Sequence, residues 1–276
     1  MNVQNIVIIG AGNVAWHLAH ALEDAGHGIE EIWSRKFLNA KKLADEMYDS
    51  KAVEELNFSE SKAKMFVIAI ADDAIESVVE QMVLPENAIV VHTSGTKSLA
   101  EFEKWLRIYS DVKVQSGILY PLQTFSKKVK IDFEEQVPIC IEASEQITED
   151  ILVKIAQDLS ELTYIVTSKE RRILHLAAVM ACNFTNHLLA ISKEILEDEE
   201  LDFSMLRPLI NETFRKAITT QDPADVQTGP ARRRDTETIE KHLTVLKNKN
   251  ENYQKIYKAI TQSIIEKYEL NLRNND

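Results

Sequence analysis

The sequence predicts an α/β fold: an N-terminal doubly wound parallel sheet with extra strands, followed by an all-α C-terminal domain. In the first half, short β-branched apolar runs alternate with segments of helical periodicity, the pattern of right-handed βαβ units. Strand signals stop after about Ser168, and only helical patterns follow. A chain of 276 residues is long enough for two cores. We therefore predict domains at residues 1–167 and 168–276.

The individual elements follow from the same periodicities. The predicted strands are residues 6–9, 29–34, 65–71, 89–92, 112–119, 137–141 and 163–166. The first helix begins near Asn13 and ends near Gly26, and further helices are predicted over residues 38–47, 73–82, 148–162, 171–196, 205–219, 235–247 and 253–269. The helix over 171–196 is apolar on more than one face, which predicts that it is covered on several sides, in part by a dimer partner.

Composition excludes several classes of protein. The net charge of −12 repels nucleic-acid phosphates and anionic membranes, so neither is expected as a partner. Cys140 and Cys182 stand in apolar runs and are interpreted as reduced core thiols of a cytoplasmic protein. No signal peptide is recognised, and no apolar run reaches the ~18 residues of a membrane span. No metal site is predicted, because His17 and His20 have no acidic or thiol companion.

A glycine-rich string follows the first strand directly. Gly10 permits a tight turn, Gly12 leaves the backbone open to a pyrophosphate, and Ala15 allows close packing of helix on strand. The helix that begins with Asn13 and Val14 directs free N–H groups at the phosphates. This context predicts a Rossmann domain that binds a dinucleotide; the alternative is a strand-turn-helix that binds nothing.

The end of the second strand distinguishes between dinucleotides. An NAD site usually has an acidic side chain there, whereas this chain has Ser34, Arg35 and Lys36. A hydroxyl and two cations suit a 2′-phosphate, so we predict NADP(H). Glu30 and Glu31 stand too early in the strand to bind the ribose. The alternative is an exposed basic turn without a ligand.

Two further strand ends are expected at the same crevice. Ala71, Asp72 and Asp73 are predicted beside the ribose, and His92 and Ser94 near the nicotinamide. The alternative for either aspartate is a capping role at the start of the next helix.

Several strings together carry a family resemblance. They are residues 10–15, 33–35, 92–95, 121–125, 183–187 and 228–230. The chain resembles a group of Rossmann-fold NADP oxidoreductases with a helical C-terminal domain of undefined substrate. This group is similar to pyrroline-5-carboxylate reductase and, more distantly, to the β-hydroxyacid dehydrogenases. The resemblance implies NADP(H) use, a homodimer built from the helical domain, and an active site between the domains.

Two positions depart from the patterns of these relatives. Relatives often have His before the string at residues 121–125, where this chain has Tyr120. The β-hydroxyacid dehydrogenases have a catalytic Lys four residues before an Asn on the long helix. If Asn183 is that Asn, the Lys position holds Val179, and the proton donor of those enzymes is missing.

The chemistry of a reductase needs a proton donor as well as a hydride source. On the long helix, His175 is the predicted donor, because an imidazole exchanges protons near neutral pH, and Asn183 is predicted to orient the substrate. The alternative is a pair of satisfied core side chains. The arginines in the loop over residues 228–235 are candidates for a substrate carboxylate, or they stand in a solvated turn capped by Asp235.

Two functions remain open from the sequence, beside a weaker third, a methyltransferase-type Rossmann protein, against which Ser34 and Arg35 count. One is an NADP(H)-dependent oxidoreductase that transfers hydride to or from a small, anionic carbonyl or imine compound. The other is a non-catalytic NADP(H)-binding redox sensor or regulatory protein. The missing lysine and the presence of Tyr120 favour this alternative.

Overall fold

An eight-stranded sheet forms the centre of the computed structural model, which describes residues 4–127, 129 and 131–273. The strands are β1 (Asn5–Ile9), β2 (Gly28–Trp33), β3 (Lys51–Val53), β4 (Met65–Ile68), β5 (Ile89–His92), β6 (Gln115–Pro121), β7 (Ile139–Ala143) and β8 (Thr163–Ile165).

The strand order confirms the predicted doubly wound fold. It runs β3-β2-β1-β4-β5-β6-β7-β8, so the chain reverses direction across the sheet between β1 and β4. All neighbouring strands are parallel except β6 and β7, which are antiparallel. Among its described residues, the link between β6 and β7 contains one four-residue helix, Phe133–Gln136, in place of the longer helix usual in a parallel βαβ crossover. The short strand β3 was not predicted.

Helices cover both faces of the sheet and form the C-terminal part of the chain. They are α1 (Asn13–Asp24), α2 (Phe37–Ala44), α3 (Ile75–Val79), α4 (Leu99–Tyr109), α5 (Phe133–Gln136), α6 (Gln146–Leu159), α7 (Ser168–Ala178), α8 (Thr185–Glu197), α9 (Arg207–Thr219), α10 (Pro230–Arg233), α11 (Thr236–Lys249) and α12 (Glu251–Arg273). The sequence analysis missed α4, although Ser98 and Glu101 form a complete capping box at its start.

The buried strands explain the continuous apolar runs. Ile6 and Ile8 of β1 belong to one core cluster with residues of α1 and α6, whereas Val7 and Ile9 belong to another with residues of α3 and α4. Successive side chains of a strand point to opposite faces, so a strand covered on both faces is apolar at every position.

The chain divides into two compact units, Met1–Asn183 and Phe184–Asp276. The first contains the sheet and α7, and the second contains α8 to α12. Within the second unit, α11 and α12 pack against each other, and α10 packs on both.

The long helix differs from its prediction. A six-residue π-helical segment, Val179–Phe184, joins α7 to α8, so the helical run extends over Ser168–Glu197. By length and composition alone, this run could cross a membrane, and counting unbroken apolar stretches did not reveal it. Several of its large apolar side chains are exposed in the single chain, so the predicted cover by a dimer partner stays a prediction. Cys182 is also exposed and is not the predicted core thiol, whereas Cys140 is buried.

Candidate functional site

The glycine-rich turn after β1 is shaped by two different requirements. Gly10 has a φ of 132°, and a Cβ there would overlap the carbonyl oxygen of Ala69, which directly follows the neighbouring strand β4. At Gly12, by contrast, a Cβ would project into open space, so the absent side chain leaves the backbone accessible. Gly12 is the N-cap of α1, with no side-chain cap and no acidic residue in the first turn. The turn therefore offers free N–H groups and a positive helix end to an anion.

A segment after β6 lies over this turn. The side-chain amide of Asn13 donates to the carbonyl of Phe125 (3.0 Å), and the ammonium group of Lys127 donates to the carbonyl of Ala11 (3.0 Å). Nε2 of His17 lies 3.1 Å from the carbonyl of Ser126. We call residues 123–127 the strap. It fixes the turn through the side chain of Asn13, which leaves the backbone N–H groups of the helix end for a ligand.

A cavity of about 970 Å³ runs along the carboxyl ends of the strands. It brings together most of the predicted site residues. Those that line it are Gly10, Gly12, Asn13, Val14, Ser34, Arg35, Lys36, Ala71, Asp72, Asp73, Ser94 and His175. Three predicted residues do not line it: Ala15, His92 and Asn183.

Ala15 and Asn183 differ in burial. Ala15 is fully buried in the core cluster of β1 and α1, which suits the packing role that the motif assigns to it. Asn183 is exposed in the π-helical segment, at the last position of the first unit. Such insertions in helices are frequent at functional sites, but the sequence shows no signal for one here.

Free cations stand at the end of β2. Arg35 and Lys36 are exposed, and neither forms an ion pair with any of the described residues. Trp33 and Ser34 line the cavity beside them. Glu31 lies outside the cavity lining and accepts a hydrogen bond from Ser61 (2.6 Å). The electrostatics at this end of the cavity therefore favour a phosphate over a ribose hydroxyl.

The aspartates after β4 are not helix caps. They begin a short 3₁₀ turn, Asp72–Ala74, whose N-cap is Ala71, and α3 has Ala74 as its N-cap without a side-chain hydrogen bond. The carboxylate of Asp72 instead accepts a short hydrogen bond from the hydroxyl of Thr96, which follows β5. This bond joins the segment after β4 to the segment after β5.

His92 lies outside the cavity lining and holds the turn at Ser94. Its ring is fully buried, Nδ1 accepts a hydrogen bond from the N–H of Ser94 (3.1 Å), and the ring packs edge-on against Phe102. Burial, together with the positive charge of Arg171, lowers the pKa of His92 to about 3, so the imidazole is neutral. The Ser94 hydroxyl accepts from the N–H groups of Thr96 and Lys97 and so shapes the turn.

Tyr120 and His175 meet inside the cavity. The hydroxyl of Tyr120, at the end of β6, lies 2.9 Å from Nδ1 of His175, on α7. Burial is the main cause that raises the pKa of Tyr120 to about 12, so the phenol keeps its proton. Sequence reasoning noted that Tyr120 replaces an imidazole but identified no partner for it. Tyr120 and His175 therefore place a hydroxyl and an imidazole side by side in the lining of the cavity.

The arginines of the predicted substrate loop are mostly engaged within the second unit. Arg232 lies over the ring of Tyr268 (4.1 Å to the centroid), and Arg234 pairs with Glu269 (3.1 Å). Asp235 accepts from the N–H of Thr238 and caps α11, as the alternative interpretation of this loop expects.

The turn, the strand order and the cavity define a Rossmann-type dinucleotide-binding protein. Two family models match the chain: a Rossmann-like domain over residues 2–102 and a domain of unknown function, DUF2520, over residues 137–264. A search of curated proteins found no match.

A solved structure identifies the family. The chain is similar to "putative NADP oxidoreductase BF3122" from Bacteroides fragilis, with 36% identity, a TM-score of 0.85, and coverage of 96% of this chain and 98% of that one. The chain therefore belongs to the family of this protein, and the predicted resemblance is confirmed.

More distant structures share the fold. A reductive aminase from Aspergillus terreus, solved with NADPH and ethyl levulinate, has 10% identity, a TM-score of 0.68, and coverage of 96% and 95% of the two chains. A pyrroline-5-carboxylate reductase from Coxiella burnetii has 15% identity, a TM-score of 0.55, and coverage of 97% and 98%. These three relatives bear the names of enzymes and give no support to the non-catalytic alternative.

Proposed function

We propose that this protein is an NADP(H)-dependent oxidoreductase that transfers hydride to or from a small carbonyl or imine compound. The observation that carries the proposal is a single cavity with unpaired cations, Arg35 and Lys36, at one strand end and the Tyr120–His175 pair at another. Membership in the family of the Bacteroides fragilis protein supports the same class of reaction.

The residues present fit the cofactor. The open backbone at Gly12 and the free N–H groups at the start of α1 would hold the pyrophosphate. Ser34, Arg35 and Lys36 would hold the 2′-phosphate, and Ala71, Asp72, Asp73 and Ser94 would contact the remainder. Bound NADPH supplies a hydride for a carbonyl or imine carbon.

His175 is the proposed proton donor to the substrate oxygen or nitrogen. Reduction adds one hydride and one proton across the double bond, so a group in the cavity has to release a proton. Tyr120 holds the His175 ring through Nδ1, which leaves Nε2 as the nitrogen that faces a substrate. Asn183 is proposed to orient the substrate.

The substrate is proposed to be anionic. Of the three adjacent arginines, Arg232 and Arg234 already have partners in the second unit, and Arg233 is exposed. A guanidinium of this kind binds a carboxylate through two parallel hydrogen bonds. Within the second unit, Arg233 is therefore the arginine proposed to bind a carboxylate.

We also propose a cytoplasmic homodimer formed through the helical domain, with domain limits at residues 167 and 168. The support is the exposed apolar surface of the long helix. Its large exposed side chains are Ile173, Leu176, Met180, Phe184 and Leu188. A contiguous apolar surface of this kind marks an interface. Cys140 and Cys182 are free thiols, which suits a reducing compartment.

Calorimetric titration with NADPH, NADH and S-adenosylmethionine tests the cofactor. We expect NADPH to bind most tightly, and Arg35→Ala to weaken NADPH at least tenfold while changing NADH less than twofold. Arg107→Ala, which removes the same charge from an exposed position on α4, is the matched control. Equal affinity for NADPH and NADH in the wild-type protein would overturn the 2′-phosphate assignment.

Turnover is tested with a panel of carbonyl and imine compounds, with and without a carboxylate, followed by the absorbance of NADPH. His175→Ala is expected to lower kcat at least a hundredfold, within the usual range for a general acid. His242→Ala, at an exposed position in the second unit, is the control. Full activity of His175→Ala would remove His175 as the donor.

A further inference from the structure

An ion pair between the fully buried Arg171 and the half-buried Glu142 lies next to the Tyr120–His175 pair. Arg171, on α7, is 0% exposed, and its Nη1 lies 2.5 Å from Oε2 of Glu142, on β7. Its Nη2 donates a short hydrogen bond to the carbonyl of Lys97 and lies 3.4 Å from the hydroxyl of Ser168. No group of the proposed reaction uses this arginine, and a fully buried cation needs a reason.

The pair belongs to a network that joins three segments of the first unit. Ser168, the first residue of α7, donates to the Glu142 carboxylate from its N–H (2.9 Å) and from its hydroxyl (2.6 Å). The N–H of Leu99, at the start of α4, donates to the same hydroxyl (2.9 Å). The network therefore fixes the start of α7 to β7 and to the loop between β5 and α4.

Tyr120 and His175 are each connected to this network through the element that carries them. Arg171 and His175 are four residues apart on α7, so they are neighbours on one helix face. Glu142 is in register with Ile118 on β6, two residues before Tyr120 and on the same face of the strand. The loop between β5 and α4, which Arg171 binds at Lys97, also contains Gly95, against which His175 packs.

We infer that Arg171 and Glu142 are positioning residues that hold His175 against Tyr120 in the cavity. The inference rests on the proposed function, since it assigns a purpose to the placement of the proposed proton donor. Neither residue lines the cavity, so both act through the helix and the strand to which they belong. Catalytic geometry is sensitive to displacements of about 1 Å, and Arg171 restrains the start of α7 at two points, the Glu142 carboxylate and the Lys97 carbonyl.

A buried ion pair is better explained by positioning than by a contribution to the free energy of unfolding. Replacing both members of a buried pair by apolar residues of similar size is often neutral for stability, whereas removing one member leaves an unpaired buried charge. The double variant Arg171→Met/Glu142→Met therefore keeps the chain folded while it removes the directional restraint. It separates positioning from stability, which single variants cannot do.

The test measures three properties of the double variant in the full-length protein. We expect its NADPH dissociation constant to stay within twofold of wild type, and its kcat to fall at least tenfold. We also expect the ¹H and ¹⁵N resonances of the His175 ring to shift, because Nδ1 loses its fixed contact with Tyr120. Arg171→Lys with intact Glu142 is expected to have a kcat between those of the double variant and wild type. The ammonium group keeps the charge, but it lacks the planar fork of a guanidinium and restrains the helix less.

The matched control is Arg215→Met/Glu212→Met, which removes an exposed bidentate Arg–Glu pair from α9 (2.7 and 2.9 Å). It should change none of the three properties. Unchanged His175 resonances together with unchanged kcat in the buried double variant would overturn the inference. If wild-type protein binds NADPH but turns over no compound, the resonances alone decide it; if wild-type protein does not bind NADPH, the proposed function fails independently.

Discussion

A Cβ atom at Gly95 would lie 2.6 Å from Nδ1 of His175 and 3.1 Å from its Cβ. Gly95 does not occupy the left-handed region of backbone space, so its glycine is required by the neighbour and not by the local conformation. The loop after β5 is thus shaped to receive the His175 ring. Tyr120 holds the same ring from the side of β6, so the position of His175 is determined from two directions.

Gly95→Ala is expected to displace the His175 ring. The added methyl group cannot fit at 2.6 Å, and overpacking of this kind costs about 1–3 kcal/mol in the free energy of unfolding. Urea unfolding measures the cost. In a His175→Ala background the 2.6 Å contact with Nδ1 is removed and the 3.1 Å contact with Cβ remains, so the same substitution should then cost clearly less. An equal cost in both backgrounds would show that the contact with His175 is not the reason for the glycine.

Asn13→Ala is expected to weaken NADPH binding through the strap. The variant loses the hydrogen bond from the Asn13 amide to the Phe125 carbonyl, a bond worth about 0.5–1.5 kcal/mol, so we expect a two- to tenfold weaker dissociation constant. Calorimetry with adenosine 2′-phosphate supplies the control, because this fragment lacks the pyrophosphate that faces the turn. Weakened binding of both ligands by the same factor would place the effect outside the turn.

The exposed apolar face of the long helix predicts a homodimer, which charged substitutions on that face should dissociate. Phe184→Glu/Leu188→Glu places two carboxylates four residues apart on one face, where the native side chains are 53% and 37% exposed. Light scattering should give about twice 31.4 kDa for wild type and about 31.4 kDa for the variant. Tyr48→Glu, at a 96% exposed position of the first unit, should leave the mass unchanged. A wild-type monomer would remove the homodimer from the proposal.

Local pattern was enough to predict the cofactor end of the cavity. Gly10 and Gly12 follow the buried strand β1, and the residues after β2 and β4 follow strands parallel to it, which places their carboxyl ends together. The Tyr120–His175 contact was beyond such reasoning, because the two residues are 55 positions apart.

Arg171 shows a different limit. It stands among charged residues at the start of a helix, a pattern typical of an exposed first turn, yet it is fully buried. Its burial depends on Glu142, which the antiparallel pairing of β7 with β6 brings beneath α7. The sequence predicted β7 as a strand but contained no signal for its direction.

The neutral state of His92 predicts a loss of stability in acid. The pKa of this ring is about 3 in the folded protein and near 6.5 in the unfolded chain, which therefore binds the proton first as the pH falls. The stabilising contribution is complete above pH 6.5 and declines by about 1.4 kcal/mol per pH unit below it. His92→Asn keeps an acceptor for the N–H of Ser94 but cannot be protonated. Between pH 7.5 and 4.5, urea unfolding should therefore show wild type losing about 2–3 kcal/mol more than the variant, whereas His242→Asn at an exposed site should follow wild type. Parallel curves for wild type and His92→Asn would mean that His92 is protonated in the folded protein well above pH 3.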